Sequence, residues 1–434
     1  MSTAIADIVE EHFSEASFLA SQWERALRSP RYNLEETSRL EERLLAHLDG
    51  LTLGGETAAA LLRPAFESED SAEVFCAVFA SIAESPPAAL EQILTAIPAT
   101  PPAFQAPLRR ALELSGRVDL DSALAPLLSS SDVSIQALAS EVLSFRGSIP
   151  REAAFELLNA QDERTLVAAL RSLGTLKRED AVRKLPRLLN DTRPQVRMAA
   201  IECGLASGIH AAWDTCRNEA QGNGEAAAAA RVLQAIWGDD KDTAQLVTHL
   251  SDASKRADVL WALGFSGRPL AVDACLEFLK QETPVARLAG EAFSAVTGLE
   301  LRGVYAVELE EEESLPPLEK EDLDADLSPK FEDELPVPAF EAVTDWWRRA
   351  RRDFSRSKRY VNGVPFDGAA LWNALTSDSM RRRHIHTKEL SLRTHGTLDI
   401  RTLAFTSRQR EELLLAQRAC KGLSTPSLAH FSRG

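Results

Sequence analysis

Between residues 119 and 300, a polar turn, an Ala-rich apolar stretch and a closing glycine recur about every 30 residues. The copies are SDVSIQALASEVLSFRG (131–147), QDERTLVAALRSLGTLK (161–177), NDTRPQVRMAAIECGLASG (190–208), GNGEAAAAARVLQAIWG (222–238), SDASKRADVLWALGFSG (251–267) and QETPVARLAGEAFSAVTG (281–298). Asp132, Asp162, Asp191 and Asp252 are placed to cap helix starts, and the glycines to end the helices. Second helical stretches lie between the copies: PREAAFELLNA, AVRKLPRLL, TAQLVTHL and PLAVDACLEFLK. A period of about 30 residues holds two helices of about 11 residues and two turns, so the repeating unit is a helical hairpin. One hairpin cannot bury both of its faces, whereas stacked neighbours bury a continuous core. Small residues such as Ala199, Ala200 and Ala262 let the helices approach closely. The expected fold class is therefore all-α, an α-α solenoid.

The pattern resembles the short HEAT-like repeat, whose inner helix begins D-x-x-x-x-V-R-x-x-A. Asp191, Val196, Arg197, Ala199 and Ala200 match it; Val285, Arg287 and Ala289 give a looser copy, and Ala226 to Ala230 fill a third with alanine. The resemblance implies an architecture and leaves function open, because sites are grafted onto folds. The repeat Asp and Arg residues read as caps and inter-repeat ion pairs. Deoxyhypusine hydroxylase shares this architecture but needs paired His-Glu steps, and none of the eight histidines here precedes a Glu. Bilin lyases share the repeat, and no residue here carries their activity across. A HEAT-like DNA glycosylase would want a basic concave face for phosphates, and the repeat region is net acidic.

Composition agrees with a helical reading. The chain is 44% hydrophobic and only 6% aromatic, and Ala and Leu dominate its apolar content. No apolar run reaches the roughly 18 residues of a membrane span. The opening MSTAIADIVEEHF is acidic and lacks the pattern of a secretory signal. Cys76, Cys203, Cys216, Cys275 and Cys420 form no CxxC pair and read as small buried hydrophobes, which points to the cytoplasm.

Charge is uneven within the formal net of -16. Residues 1–118 sum to roughly -9, 119–300 to roughly -6, 301–345 to roughly -12 and 346–434 to roughly +11. The expected organisation is an N-terminal helical domain (1–118), a HEAT-like array (119–300), an acidic linker (301–339) and a basic helical module (340–434). The strip 306–340 combines carboxylates with prolines and few large apolar groups, the composition of a mobile tether.

In the N-terminal module, Ile5, Ile8, Val9, Phe13, Phe18, Leu19, Trp23 and Leu27 form an apolar stripe at helical spacing. Asn33 and Glu36 form a capping box for a second helix, which Gly50 is expected to stop. His47 and Asp49 read as a polar helix end. The stretch EEHFSEASFLASQWERALRSPRYNLEETSRLEERLLAHLDGL, above all its HLDGL, resembles the opening of an uncharacterised proteobacterial family of HEAT-repeat proteins. RYVNGVPFDGAALWNAL followed by RRRH is similar to that family's tail. Members are often encoded near type VI secretion components, so the resemblance implies an accessory or adaptor role. It carries over no catalytic residue.

The basic module opens with AFEAVTDWWRRARRDF. Phe340, Val343, Trp347, Ala350 and Phe354 share one apolar face, which turns Trp347 inward and leaves Trp346, Arg348, Arg349, Arg352 and Arg356 on other faces. Asn362-Gly363 signals a two-residue hairpin turn, Asp367 caps the helix that follows, and Thr406 with Gln409 forms a second expected capping box. Arginines among aromatics suit nucleic acid, but no nucleic-acid-binding motif accompanies them and the acidic strip offers matching charge. His384 and His386 point apart on a helix, which argues against a metal site with His395. GFSGRP misses G-x-S-x-G by one position, and no P-loop or dinucleotide fingerprint appears. The expectation is a non-catalytic scaffold without cofactor or metal that binds a protein client, either a secretion effector or its carrier. Its anchors would be Trp346, Arg348, Arg349, Arg352, Arg381, Arg382 and Arg383. A nucleic-acid-binding protein and a HEAT-like enzyme are the alternatives.

Overall fold

The computed structural model describes residues 3–83, 90, 94, 102–307 and 330–424. The chain divides into two compact units. One takes Met1–Leu27, Tyr32–Trp213 and Ser391–Ala416; the other takes Arg28–Arg31, Asp214–Leu390 and the stretch from Gln417 onward. The stretch 340–434 thus contributes to both. All-α is the class of each unit, and the strands are two-residue pairs among the described residues.

In the first unit, helix Thr3–Ala26 packs against Leu34–Leu53. The second of these starts at the expected box: Asn33 accepts from the Glu35 and Glu36 amides at 2.9 and 3.0 Å, and Glu36 accepts from the Asn33 amide at 2.9 Å. Gly50 does not stop it; the helix runs to Leu53. The reason is packing, since a Cβ on Gly50 would lie 2.8 Å from the His12 ring. His47 accordingly meets His12, with their Nδ1 atoms 3.1 Å apart, and lies within the helix rather than at its end. Of the apolar stripe, Val9, Leu19, Trp23 and Leu27 are buried, whereas Ile8 and Phe18 are more than half exposed.

Three repeat helices of this unit, Val133–Arg146, Glu163–Leu173 and Pro194–Ala206, stack in order. Asp132 and Asp162 cap the first two through backbone amides. Asp191 instead takes the Arg193 amide and side chain, one turn before the helix, because Pro194 fills the first helical position. The motif arginine Arg197 folds back to donate to the Asp191 and Thr192 carbonyls at 2.8 and 3.1 Å, bracing the loop that precedes its helix. Arg164 pairs with Glu141 of the preceding repeat, an inter-repeat ion pair of the expected kind.

In the second unit, Glu225–Trp237, Arg256–Ser266 and Thr283–Thr297 stack in the same way. Asp252 caps a turn at Ser254, and the helix begins only at Arg256. Loop bracing recurs: Arg231 reaches the Ala220 carbonyl at 3.1 Å and Arg256 the Leu250 carbonyl at 3.1 Å. Gly267 and Gly298 end their helices at positive φ, where a Cβ would lie 2.5 Å from Tyr360 and Asn362 carbonyl oxygens. The hairpin of Tyr360–Val361 and Val364–Pro365 therefore sits directly on two helix ends. Its amides donate to otherwise orphaned carbonyls: Tyr360 to Gly267 at 2.7 Å, Asn362 to Ala295 at 2.8 Å and Gly363 to Val296 at 3.0 Å. Asn362 and Gly363 both have positive φ, as a type I′ turn requires.

Most of the acidic strip, 308–329, lies outside the described residues. Its flanks are tied together by the antiparallel pair Ala306–Val307 and Val337–Pro338. All five cysteines are buried and none forms a disulfide. Burial pushes the Cys76, Cys203 and Cys275 thiols up to about 12, which makes them poor nucleophiles at neutral pH.

Candidate partner-binding site

The seven anchors expected from sequence separate into an outer and an inner set. Helix Phe340–Ala350 buries Val343 and Trp347 and continues as a short 3-10 turn, Arg351–Asp353. Trp347 is fixed by donating to Asp273 at 2.8 Å, and Arg351 grips the same carboxylate from above the indole. That inward face leaves Arg348, Arg349 and Arg352 in solvent, with Arg348 and Arg352 side chains 72% and 88% exposed. Their partners are local: Arg348 with Asp345 at 2.5 Å, Arg349 with the Asp345 carbonyl at 3.1 Å, and Arg352 with Asp353 at 4.0 Å. Exposed pairs of this kind hold a side chain by less than about 1 kcal/mol, so these guanidiniums can exchange partners. Trp346 lies beside them half-buried, stacked on Trp347 at 6.3 Å.

Arg381, Arg382 and Arg383 turn the other way. They sit in the first turn of helix Met380–Arg393, and Arg383 is fully buried with its Nε donating to the Leu375 carbonyl at 2.7 Å. Arg382 donates to the Gly264 carbonyl at 3.2 Å and lies 4.2 Å from the Phe265 ring centre. Nearby, Arg359 reaches the Ser266 and Phe265 carbonyls, each at 3.0 Å, and pairs with buried Glu389 at 2.7 Å. Arg382 and Arg359 thus deliver positive charge to the C-terminal carbonyls of helix Arg256–Ser266, where the helix dipole favours it. As surface anchors, Arg382 and Arg383 are thereby displaced, since their side chains are enclosed. Burial lowers the Arg383 guanidinium to about 10 and also pulls Arg382 down, against the carboxylates of Glu291 and Asp378.

Arg381 occupies an intermediate position. Its guanidinium lies 4.4 Å from the Trp261 ring centre, with Nε 3.3 Å from Glu291 and Nη2 3.0 Å from Glu332. It helps line a groove of about 310 Å³ with Arg28, Asp258, Trp261, Leu288 and His384. Phe331 and Glu332 form a further wall. Burial raises the Glu291 carboxyl while Arg381 and Arg382 draw it back. His384 thus faces the groove, whereas His386 is buried against Asp378 at 2.8 Å and His395 contacts the Ala206 carbonyl. Burial would raise Asp378, but the His386 contact, Arg382 and Asn362 hold it below its ordinary value. Among the described residues, no group of three His, Cys, Asp or Glu side chains is arranged to hold a metal.

Sequence reasoning did not find Trp261, Glu291 or Arg28. Glu291 left a trace: it is an acid inside the apolar run LAGEAFSAV, a place that asks for a buried cation opposite.

Residues 152–208 match the family model for HEAT repeats. The repeat is HEAT-like. No match was found among curated proteins. A crystal structure of an engineered protein is similar at 19% identity and a TM-score of 0.30, covering 67% of this chain and 93% of that one. Each unit is all-α, with helical hairpins stacked in the manner of an α-α solenoid, and residues 152–208 carry the HEAT-like match. No helix among the described residues is long and apolar enough to cross a membrane.

Proposed function

We propose that this protein is a non-catalytic HEAT-repeat scaffold that holds a protein client through the outer set Trp346, Arg348, Arg349 and Arg352. The observation that carries this reading is the exposure of those arginines on a helix pinned from behind by Trp347 and Asp273. A rigid base presenting exchangeable charges beside an indole suits protein recognition, where aromatic and Arg side chains dominate interface energy once desolvated. The client is an acidic surface. The resemblance of the HLDGL and RYVNGVP stretches to proteins encoded near type VI secretion components supports a secretion effector or its carrier. Five buried cysteines outside any disulfide support a cytoplasmic location.

Affinity capture of the full chain from its native host tests the reading. A specific, stoichiometric client that elutes with rising salt is expected. Recovery of nothing above a bare-resin control contradicts it.

A further inference from the structure

The groove beside Trp261 has an internal neighbour whose chemistry is informative. The 3-10 turn Phe331–Glu334, sequence FEDE, places Phe331 and Glu332 on the groove wall. Each of its carboxylates meets a donor. Glu332 pairs with Arg381 at 3.0 Å and Asp333 with Arg287 at 3.4 Å. Glu334 accepts from the Ser29 hydroxyl at 2.5 Å, while its carbonyl lies 3.5 Å from Arg31 Nε. Without the turn, the groove and its rim carry Arg28, Arg31, Arg287 and Arg381. Opposing them are Asp258, already paired to Arg231 at 3.1 Å, and the buried Glu291. That rim is net positive around an aromatic floor, a surface complementary to an aromatic residue followed by carboxylates.

The polar groups beneath it are not saturated. Both Glu291 oxygens, Arg381 Nε and two Arg382 nitrogens are buried without a hydrogen bond. These groups are held by ion pairs of poor hydrogen-bond geometry, Arg381 with Glu291 at 3.3 Å and Arg382 with Asp378 at 3.9 Å, so each additional pairing counts for more in a low-dielectric site. Arg381 is the hinge of this arrangement. It stacks on the groove floor at Trp261 and bridges the buried Glu291 to the turn's Glu332.

We infer that the surface beside Trp261 on which the chain's own Phe331–Glu334 turn rests is a docking site for an acidic, aromatic-led segment of a protein partner, with the turn as its resident. The inference rests on the scaffold reading and deepens it, by naming the chemistry of the client segment. A partner presenting aromatic-Glu-Asp-Glu would reproduce the contacts of the turn and exchange with it, leaving the outer arginines to hold the remainder of the client.

The test is fluorescence anisotropy of a labelled peptide, KFEDELP, titrated with the full chain at moderate salt. The proteins are the wild type, Glu332→Gln, and the triple variant Phe331→Ala, Glu332→Gln, Glu334→Gln. The peptide should bind the triple variant at least tenfold more tightly than the wild type. Glu332→Gln alone, which removes one ion pair and leaves packing intact, should give a smaller gain and serves if the triple variant misfolds. A peptide with Phe331→Ala should bind several-fold more weakly. Equal binding to wild type and variants, no binding to any, or indifference to the peptide's Phe331→Ala change would overturn the inference. If client capture by the full chain persists in that case, the scaffold reading survives and the groove alone is eliminated.

Discussion

Arg348, Arg349 and Arg352 stand in solvent at the end of a helix whose other face is locked by Trp347, while Arg381, Arg382 and Arg383, later in the same basic stretch, point into their unit. Both groups are runs of arginine near aromatic residues, and a sequence reading treats them alike. What separates them is the object each helix packs on. The first helix buries Val343 and Trp347, with the indole N–H answered by Asp273, so its own arginines find no partner inside and are left outside. The second starts against exposed helix-end carbonyls at Gly264 and buried acids at Glu291 and Asp378, so its arginines are drawn in to satisfy them. Positive charge in this protein has two uses, closing the ends of repeat helices and offering exchangeable contacts. Burial tells them apart.

The sharpest way to break this comparison is to remove an inner charge from its pair. Glu389→Ala leaves Arg359 buried without its carboxylate. The expected loss is about 3–5 kcal/mol in urea unfolding. An effect below about 1 kcal/mol would place Arg359 with the outer set. Arg383→Ala should cost about 3 kcal/mol, through a cavity and an orphaned Leu375 carbonyl.

Glu41 extends the inner rule to the other unit. Its buried carboxylate accepts from Trp23 Nε1 at 3.1 Å and from the Thr406 amide and hydroxyl at 2.9 Å, at the start of helix Thr406–Cys420. Glu41→Gln should cost about 1–3 kcal/mol at neutral pH by weakening these bonds. Burial raises the Glu41 carboxyl above its ordinary value despite those donors. The folded state therefore binds the proton more readily than the unfolded state. Stability contributed by this group rises as pH falls from the raised folded value toward the ordinary carboxylate value. The difference in unfolding free energy between wild type and Glu41→Gln, followed across weakly acidic pH, should change in that sense, and a difference that is flat with pH would contradict it. The smallest effect belongs to the outer set: Arg348→Ala, Arg349→Ala and Arg352→Ala should each change stability by about 0.5 kcal/mol or less.

Local signals carried much of the fold. The repeat period, the caps at Asp132 and Asp162, the Asn33–Glu36 box, the Asn362-Gly363 turn and the Asp367 cap all depend on a few neighbouring residues, and each is present. Features that depend on a distant partner were not legible. Gly50 looks like a stop and instead makes room for His12. Thr406 looks like a cap for Gln409. It is the first helical residue and bonds to Glu41, while Gln409 donates to the Thr402 and Ala404 carbonyls. Phe18 fits the apolar stripe by spacing yet faces solvent. The candidate site follows the same division. The apolar face of helix Phe340–Ala350 placed the outer arginines correctly, whereas the inward turn of Arg382 depends on a carbonyl contributed by a repeat helix far upstream, and that of Arg383 on the Leu375 carbonyl at the end of the preceding helix.

The most direct measurement is client capture by the chain carrying Arg348→Ala, Arg349→Ala and Arg352→Ala together, run beside its urea unfolding curve. The account predicts an unfolding midpoint close to wild type with client recovery reduced at least tenfold. Undiminished recovery by a normally folded variant, or a large loss of stability, would contradict it.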